Sequence, residues 1–339
     1  MSPLQKEPKE FLGYVHYFRA IAITYVVGGH AIDAFTWAES SQLERLLRIL
    51  FCNGSTLFVF IAGYLFQHLS GRFVAGKYFR SKLKNVILPY VVVSIPAIIV
   101  FVAFRQRDDL WPGFYDAPLT TQVVMFFLTG THLATLWFIP MISLIFVLGP
   151  ILVPLDRNGR LYWLLPVAVV VSAFVNRGLA WQSAIHFFSV YLLGMACSHF
   201  RQPVNNFLSQ RVVLIAIMAI MGLLIGAELL LTNQTMTYLN YFQKLLLSLF
   251  FIGFLFRHNE SLTSRFVNGI ADTSFGIYFL HAYVIFSFRL AAITVYGGLP
   301  AAQILWIVIY TLLVMLVSLA LVRFIQRLLG KRSRMLIGS

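Results

Sequence analysis

Ten apolar runs follow one another along the chain, at 14–36, 51–69, 86–104, 136–154, 161–177, 182–199, 211–231, 238–256, 273–295 and 301–324. A helix needs about 17 to 25 such residues to cross the hydrocarbon core of a bilayer. The runs are continuous rather than alternating, which excludes a closed β-barrel and predicts an all-α, polytopic membrane protein of about ten transmembrane helices. The polar head 1–13 and the basic tail 325–339 are too short to be domains, so residues 1–339 read as a single membrane unit. The longest connection, 105–135, carries Arg107, Asp108, Asp109, Trp111, Pro112 and Asp116, then an apolar stretch at 123–128. That stretch is too short to span and is expected to lie at the interface or dip into the protein.

Basic residues favour the cytoplasmic side of a membrane protein. With both termini cytoplasmic, the inner segments hold 18 of the 26 Lys and Arg: Lys6, Lys9, the group Arg72 to Lys84, Arg157, Arg160, Arg201, Arg211, Arg257, Arg265 and the five beyond residue 322. The outer loops hold only Arg45, Arg48, Arg105, Arg107 and Arg177, while Arg19, Lys244 and Arg289 fall inside spans. The bias supports an even number of spans with inner ends.

Composition agrees: 59% of the 339 residues are hydrophobic, 11% are charged and the mean hydropathy is +0.81, values that no ordinary water-soluble domain reaches. The formal charge of +14 is then mostly a topology signal. Nucleic-acid binding would need a soluble basic domain, and none is present. Cys52 and Cys197 fall at opposite ends of their spans, so no disulfide is expected. The first apolar run is too long for a signal-peptide core and lacks a small-residue cleavage site, so it is expected to stay as a helix.

Arg19 and His30 stand out because both lie in that first run. Eleven residues apart, they are about 20° apart around a helix and about 16 Å apart along it, on one track. Polar groups at such depth are functional by default. Gly28 and Gly29 allow close approach to the backbone beside His30, and Asp33 lies one turn beyond, where its carboxylate could orient the imidazole. His30 with an orienter suits abstraction of a proton from a hydroxyl; it equally suits a hydrogen bond to a neighbouring helix. Lys77, Arg80 and Lys84 share a helical face in the inner loop after the second run. They fit either the phosphates of a nucleotide-bearing donor or anionic lipid headgroups.

Trp137, in the run Leu136 to Pro140, suits stacking on a sugar or anchoring at the interface. Tyr278 and His281 share a face of the ninth span, with Arg289 beyond them, and His186 is a further polar group within a span. Glu228 and Lys244 are placed to pair, and Gly222 with Gly226 form a small-residue motif for helix contact or dimerisation. The chain has no zinc spacing, nucleophile elbow, phosphate loop or dinucleotide fingerprint.

The order of these features resembles the acyltransferase family 3 of integral membrane O-acyltransferases, which modify surface glycans. The resemblance covers nearly the whole chain. Its most specific element is Arg19 followed eleven positions later by His30. Alongside stand Phe58 to Leu65, the segment from Tyr78-Phe79-Arg80 to Leu88-Pro89-Tyr90, Leu136-Trp137-Phe138-Ile139-Pro140 and Tyr278-Phe279-Leu280-His281. Departures are His16 and Tyr17 before the Arg, Ala20 after it, Ala62 in place of the common Ser and Ala282 in place of the common Pro.

The resemblance implies a bacterial inner-membrane enzyme that takes an acyl group, usually acetyl, from cytosolic acetyl-CoA to a hydroxyl of a glycan or lipid-linked sugar outside, without a metal. Arg19, Lys77, Arg80 and Lys84, with Tyr278 and His281, are then expected to hold the donor, His30 and Asp33 to act on the hydroxyl, and Trp137 to meet the acceptor. Two other classes of function fit the same architecture: a secondary transporter or flippase, disfavoured by the lack of a repeat, and a non-catalytic partner in polysaccharide export.

Overall fold

The structure, a computed structural model, describes residues 11–339. Lys6 and Lys9, counted above on the inner side, lie outside the described residues.

Helices fill the described chain in the order α1 Gly13–Ala31, α2 Gln42–Phe51, α3 Ser55–His68, α4 Ala75–Lys82, α5 Leu88–Ile99, α6 Leu119–Thr129, α7 Phe138–Val147, α8 Gly149–Arg157, α9 Leu165–Phe174, α10 Ala180–His199, α11 Arg201–Leu208, α12 Arg211–Leu231, α13 Tyr238–Arg257, α14 Arg265–Tyr296, α15 Ile304–Leu329 and α16 Ser333–Ile337. No strand occurs among the described residues; one isolated bridge joins Thr36 to Ala301. There the Thr36 N–H donates to Pro300 at 2.9 Å and its carbonyl accepts from Ala302 at 2.9 Å, tying the chain after α1 to the chain before α15.

Each predicted run is helical, but not each is a self-sufficient span. Six helical stretches are long and apolar enough to cross a membrane: Gln42–His68, Ala75–Phe104, Arg211–Leu231, Tyr238–Arg257, Arg265–Tyr296 and Ile304–Ile337. Two bent pairs, α7 with α8 at 53° and α10 with α11 at 99°, raise the number to eight. The first bend falls at Leu148 and Pro150, where proline removes an amide from the helical ladder. The stretch Arg160–Phe174 is apolar but short, and α1 is not among the candidates. His16, Arg19, Thr24, three glycines and His30 dilute its apolarity, and neighbouring helices supply the burial that lipid would otherwise give.

Helix α1 is enclosed by α3, α13, α14 and α15. Phe18, Ala22, Ile23 and Val27 are fully buried there. The tightest crossing lies beside it. A Cβ added at Gly63 of α3 would fall 2.0 Å from the Tyr191 carbonyl oxygen, and one at Gly194 of α10 would fall 2.1 Å from that of Phe60. These two glycines, rather than Gly222 and Gly226, form the internal small-residue contact. Among the described residues nothing lies within 4 Å of a Cβ at Gly222 or Gly226, so that pair is not packed against another described helix.

The apolar stretch at 123–128 forms the middle of α6, which stops at Gly130 in the left-handed region, φ +71. A Cβ there would lie 2.5 Å from the Trp137 amide nitrogen, so both conformation and space require glycine. The basic tail is more than an extension of α15. After Gly330 it folds back as α16, burying Ser333 and Ile337, and the Gly276 N–H of α14 donates to Ser339 Oγ at 2.8 Å.

Alanine at Gly63 or Gly194 is expected to destabilise the bundle by about 1–3 kcal/mol, the usual penalty of overpacking, while Gly222→Ala is expected to be near neutral. Thermal denaturation of the detergent-solubilised variants checks this; equal melting of all three would mean the α3–α10 crossing is not tight.

Candidate functional site

The unbroken helix α1 carries Arg19 at one end and His30 at the other, and α14 meets both. Toward the N-terminal end of α1 the Arg19 guanidinium donates to Ser274 Oγ at 3.1 Å, and His16 Nε2 lies 3.6 Å from Asp272 Oδ1. Seven residues further along α14, two helical turns, His281 stands with its ring centroid 5.6 Å from that of His30. His281 Nδ1 lies 3.0 Å from the Ile277 carbonyl, which can only accept, so the proton sits on Nδ1. Its Nε2 is buried and has no hydrogen-bond partner among the described residues.

His30 lines two cavities. The smaller, about 160 Å³, is also walled by Asp33, Arg48, Asn53, Phe58, Thr135, Trp137, Arg177 and Tyr278. The larger, about 400 Å³, shares His30, Asp33 and Thr135 and extends along Phe101, Arg105 to Asp109, Ala282 and Arg289. The half-buried imidazole thus faces both spaces and makes no hydrogen bond with a described residue. Beside it, the two glycines admit α2: a Cβ at Gly28 would meet the Phe51 ring at 3.1 Å, and one at Gly29 would meet the Phe51 carbonyl at 3.2 Å.

Arg177 was read from sequence only as a loop charge, yet its guanidinium lies in the smaller cavity, 4.3 Å from the Trp137 ring centroid. It donates to Asn53 Oδ1 and, at 3.7 Å, to the Met236 sulfur, while its Nε is buried with no partner among the described residues. Asn53, in the left-handed region at φ 63, donates from Nδ2 to Asn240 Oδ1 at 2.9 Å. Asn240 and Lys244 in turn donate to the last carbonyls of α2, Lys244 to Ile49 at 2.9 Å and to Leu50 at 2.6 Å. A lysine at a helix C-terminus satisfies orphan carbonyls and the negative end of the dipole together.

The predicted residues divide accordingly. His30, Asp33, Trp137 and Tyr278 line one cavity, with His281 directly behind. Asp33 is turned to Arg48, at 2.9 Å, and not to His30. Trp137 has Arg177 over its ring and Phe187 stacked at 5.9 Å, so a face expected to meet a sugar is occupied by a cation. The Tyr278 hydroxyl donates to the Thr135 carbonyl at 2.6 Å, fixing the loop that carries Trp137.

Lys77, Arg80 and Lys84 are exposed and make no ion pair with a described residue. A π-turn at Leu83–Ile87 breaks the helical phase that was to align Lys84 with the other two. Lys82, counted with the inner-loop cations but off their shared face, turns inward with Nζ 3.8 Å from the Phe146 ring centroid. Glu228 and Lys244 do not form an ion pair: Glu228 Oε1 accepts from Thr237 Oγ1 at 2.9 Å, and Lys244 is taken by α2. Nothing in the spacing could have foretold Arg177 or Asn53, which approach His30 only through tertiary packing.

Cys52 and Cys197 are both free, and among the described residues no group of three His, Cys, Asp or Glu side chains is placed to hold a metal ion.

Helices long and apolar enough to cross a membrane thus enclose cavities that share a half-buried histidine, the architecture of a multi-pass membrane protein. A family model described as an acyltransferase domain matches residues 12–323, nearly the whole chain. The chain belongs to that family and is a membrane acyltransferase. No curated protein and no solved structure matches it.

The rim of the larger cavity is held by Arg107, which donates to both Asp109 carboxylate oxygens at 2.8 and 2.6 Å and to the His132 carbonyl at 3.0 Å. Hydrogen bonds from Arg107 hold the Asp109 carboxyl below its ordinary value. The sign follows: the pair's contribution is complete above the unfolded carboxylate pKa and is lost as pH falls through the lowered folded value. Since Asp109 is 67% exposed, the effect is local and small. Hydrogen exchange over 105–118, corrected for intrinsic rates, is expected to be steady from neutral pH down to about 4 and to rise below it. Asp109→Asn should show the loosened loop already at neutral pH; an unchanged exchange pattern in that variant would remove the pair from the account of the rim.

Proposed function

We propose that the protein transfers an acyl group, acetyl in the simplest case, from a cytosolic acyl-CoA to a hydroxyl of a glycan or lipid-linked sugar on the outer side of a bacterial plasma membrane. The observation that carries this reading is the position of His30, at the junction of two cavities on a helix whose other end presents Arg19. One cavity can take the acyl end of the donor while the other takes the acceptor.

In this reading all ten apolar runs cross or traverse the membrane and both termini are cytoplasmic. The donor's phosphates meet Arg19 and the exposed cations Lys77, Arg80 and Lys84 on the inner side. His30 takes the proton of the acceptor hydroxyl as its oxygen attacks the thioester carbonyl. The negative charge that develops on the carbonyl oxygen lies in the cavity of Arg177, a cation without a carboxylate partner among the described residues. Collapse breaks the carbon–sulfur bond, and the departing thiolate receives the proton from His30, giving the ester and free CoA. His281, its Nε2 open as an acceptor beside His30, takes the orienting role that the sequence suggested for Asp33.

Replacing His30 by Ala or Gln is expected to lower transfer about 10²- to 10⁴-fold with normal protein levels, while Arg19→Gln is expected to act chiefly on the KM for acyl-CoA. Release of CoA thiol by the purified protein, together with the acetyl mass carried by the host's surface glycan, reports both. Full acetylation with His30→Ala sinks the assignment.

In a cysteine-free background, a Cys at Gly113 should react with an impermeant maleimide from outside, and one at Gly71 only after the membrane is opened. The reverse pattern would invert the topology and put the donor on the wrong side.

A further inference from the structure

The larger cavity contains a charge that the transfer chemistry does not use. Arg289 sits within α14, half-buried, eight residues beyond His281, which places it about 12 Å further along the helix. It makes no hydrogen bond or ion pair with a described residue. A guanidinium inside a membrane span is costly and is ordinarily paired.

The other charges of the cavity do not neutralise it: Asp109 is bound to Arg107 and Asp33 to Arg48, leaving Arg105 and Asp108 exposed at the mouth. The Tyr310 hydroxyl on α15, within electrostatic range of Arg289, is also buried and unpartnered among the described residues. An uncompensated, hydrogen-bond-rich cation thus faces a space whose other end is His30.

Building on the acyl-transfer reading, we propose that Arg289 binds an anionic group of the acceptor, a carboxylate or phosphate carried about one sugar unit away from the hydroxyl that is acylated. A guanidinium presents its donors in a planar fork suited to either oxyanion. The levels of His281 and Arg289 on α14 lie about 12 Å apart, more than the width of one pyranose ring, so an anion on the neighbouring unit or on the linkage beyond it can reach Arg289 while a hydroxyl lies at His30. The anion fixes the register of the acceptor, and with it which hydroxyl reaches His30. Arg289 is a positioning residue and takes no part in the bond changes.

The test measures binding to the full-length protein in dodecyl maltoside, which supplies no phosphate, with three probes: a glucuronyl-glucose disaccharide, inorganic diphosphate and neutral cellobiose. At least one charged probe is expected to bind wild-type protein more tightly than cellobiose, and Arg289→Gln should weaken it about tenfold, with partial recovery in Arg289→Lys. Arg157→Gln, on the opposite side of the bundle, should leave all three unchanged. Tighter binding of the glucuronyl probe assigns a uronic acid, and tighter binding of diphosphate assigns a lipid-diphosphate linkage. Should Arg289→Gln fail to fold, Arg289→Lys still decides: a point charge in place of the planar fork should bind the charged probes several-fold more weakly than wild type and cellobiose equally well, and unchanged affinity for the charged probes counts against the site.

Equal affinity of wild type and Arg289→Gln for both charged probes, or neither charged probe binding wild type more tightly than cellobiose, overturns the proposal. Binding to Arg289 in a protein that transfers no acyl group would leave the anion site standing and remove the acyl-transfer reading instead.

Discussion

The backbone-to-backbone crossing of α3 and α10 sets the geometry on which the site depends. Lipid tails are as apolar as the helices themselves, so helices in a bilayer associate through close packing and polar contacts rather than through exclusion of water. At Gly63 and Gly194 each helix presses on a carbonyl of the other, and no larger residue fits. With that contact made, the turn at 52–54 that begins α3 is fixed beside α1, and Phe187 of α10 is brought under Trp137. Trp137 and Asn53 then hold Arg177 in the cavity of His30. A glycine crossing without chemistry of its own thereby positions the cation that shares a cavity with His30.

Charges inside the bundle are dealt with one by one, in ways that separate structural from available groups. Lys244 is consumed by the end of α2, Arg48 by Asp33 and Glu44, and Arg107 by Asp109. Each of these is satisfied by groups within reach. Two of the cations left without a carboxylate among the described residues, Arg177 and Arg289, line the two cavities that share His30.

Periodicity and length were enough to read the helices, because in a membrane the apolar run is itself the structural requirement. The Arg19–His30 track was legible for a related reason: both residues belong to one unbroken helix, so spacing converts directly to geometry. Pairings between helices were not legible. Glu228 and Lys244 carry opposite charges at similar depth, yet the helix end presented by α2 competes for the lysine and wins. Gly222 and Gly226 have the spacing of a contact motif and face open space, whereas Gly63 and Gly194 lie 131 positions apart and no local pattern joins them. Asp33 is near His30 in sequence, but Arg48 approaches from α2 and takes its carboxylate.

Helix α1 also has a history implied by its composition. It is too polar to be a strong span alone, and it is stabilised by neighbours, one of which, α14, is met through Arg19 and Ser274 across 255 residues of chain. Since a chain is made from its N-terminus, the contact of Arg19 with Ser274 can form only after nearly all of the bundle has been synthesised. The surroundings of Arg19 and His30 are therefore completed only when α14 is in place, so a chain ending before α14 lacks the partners of both residues.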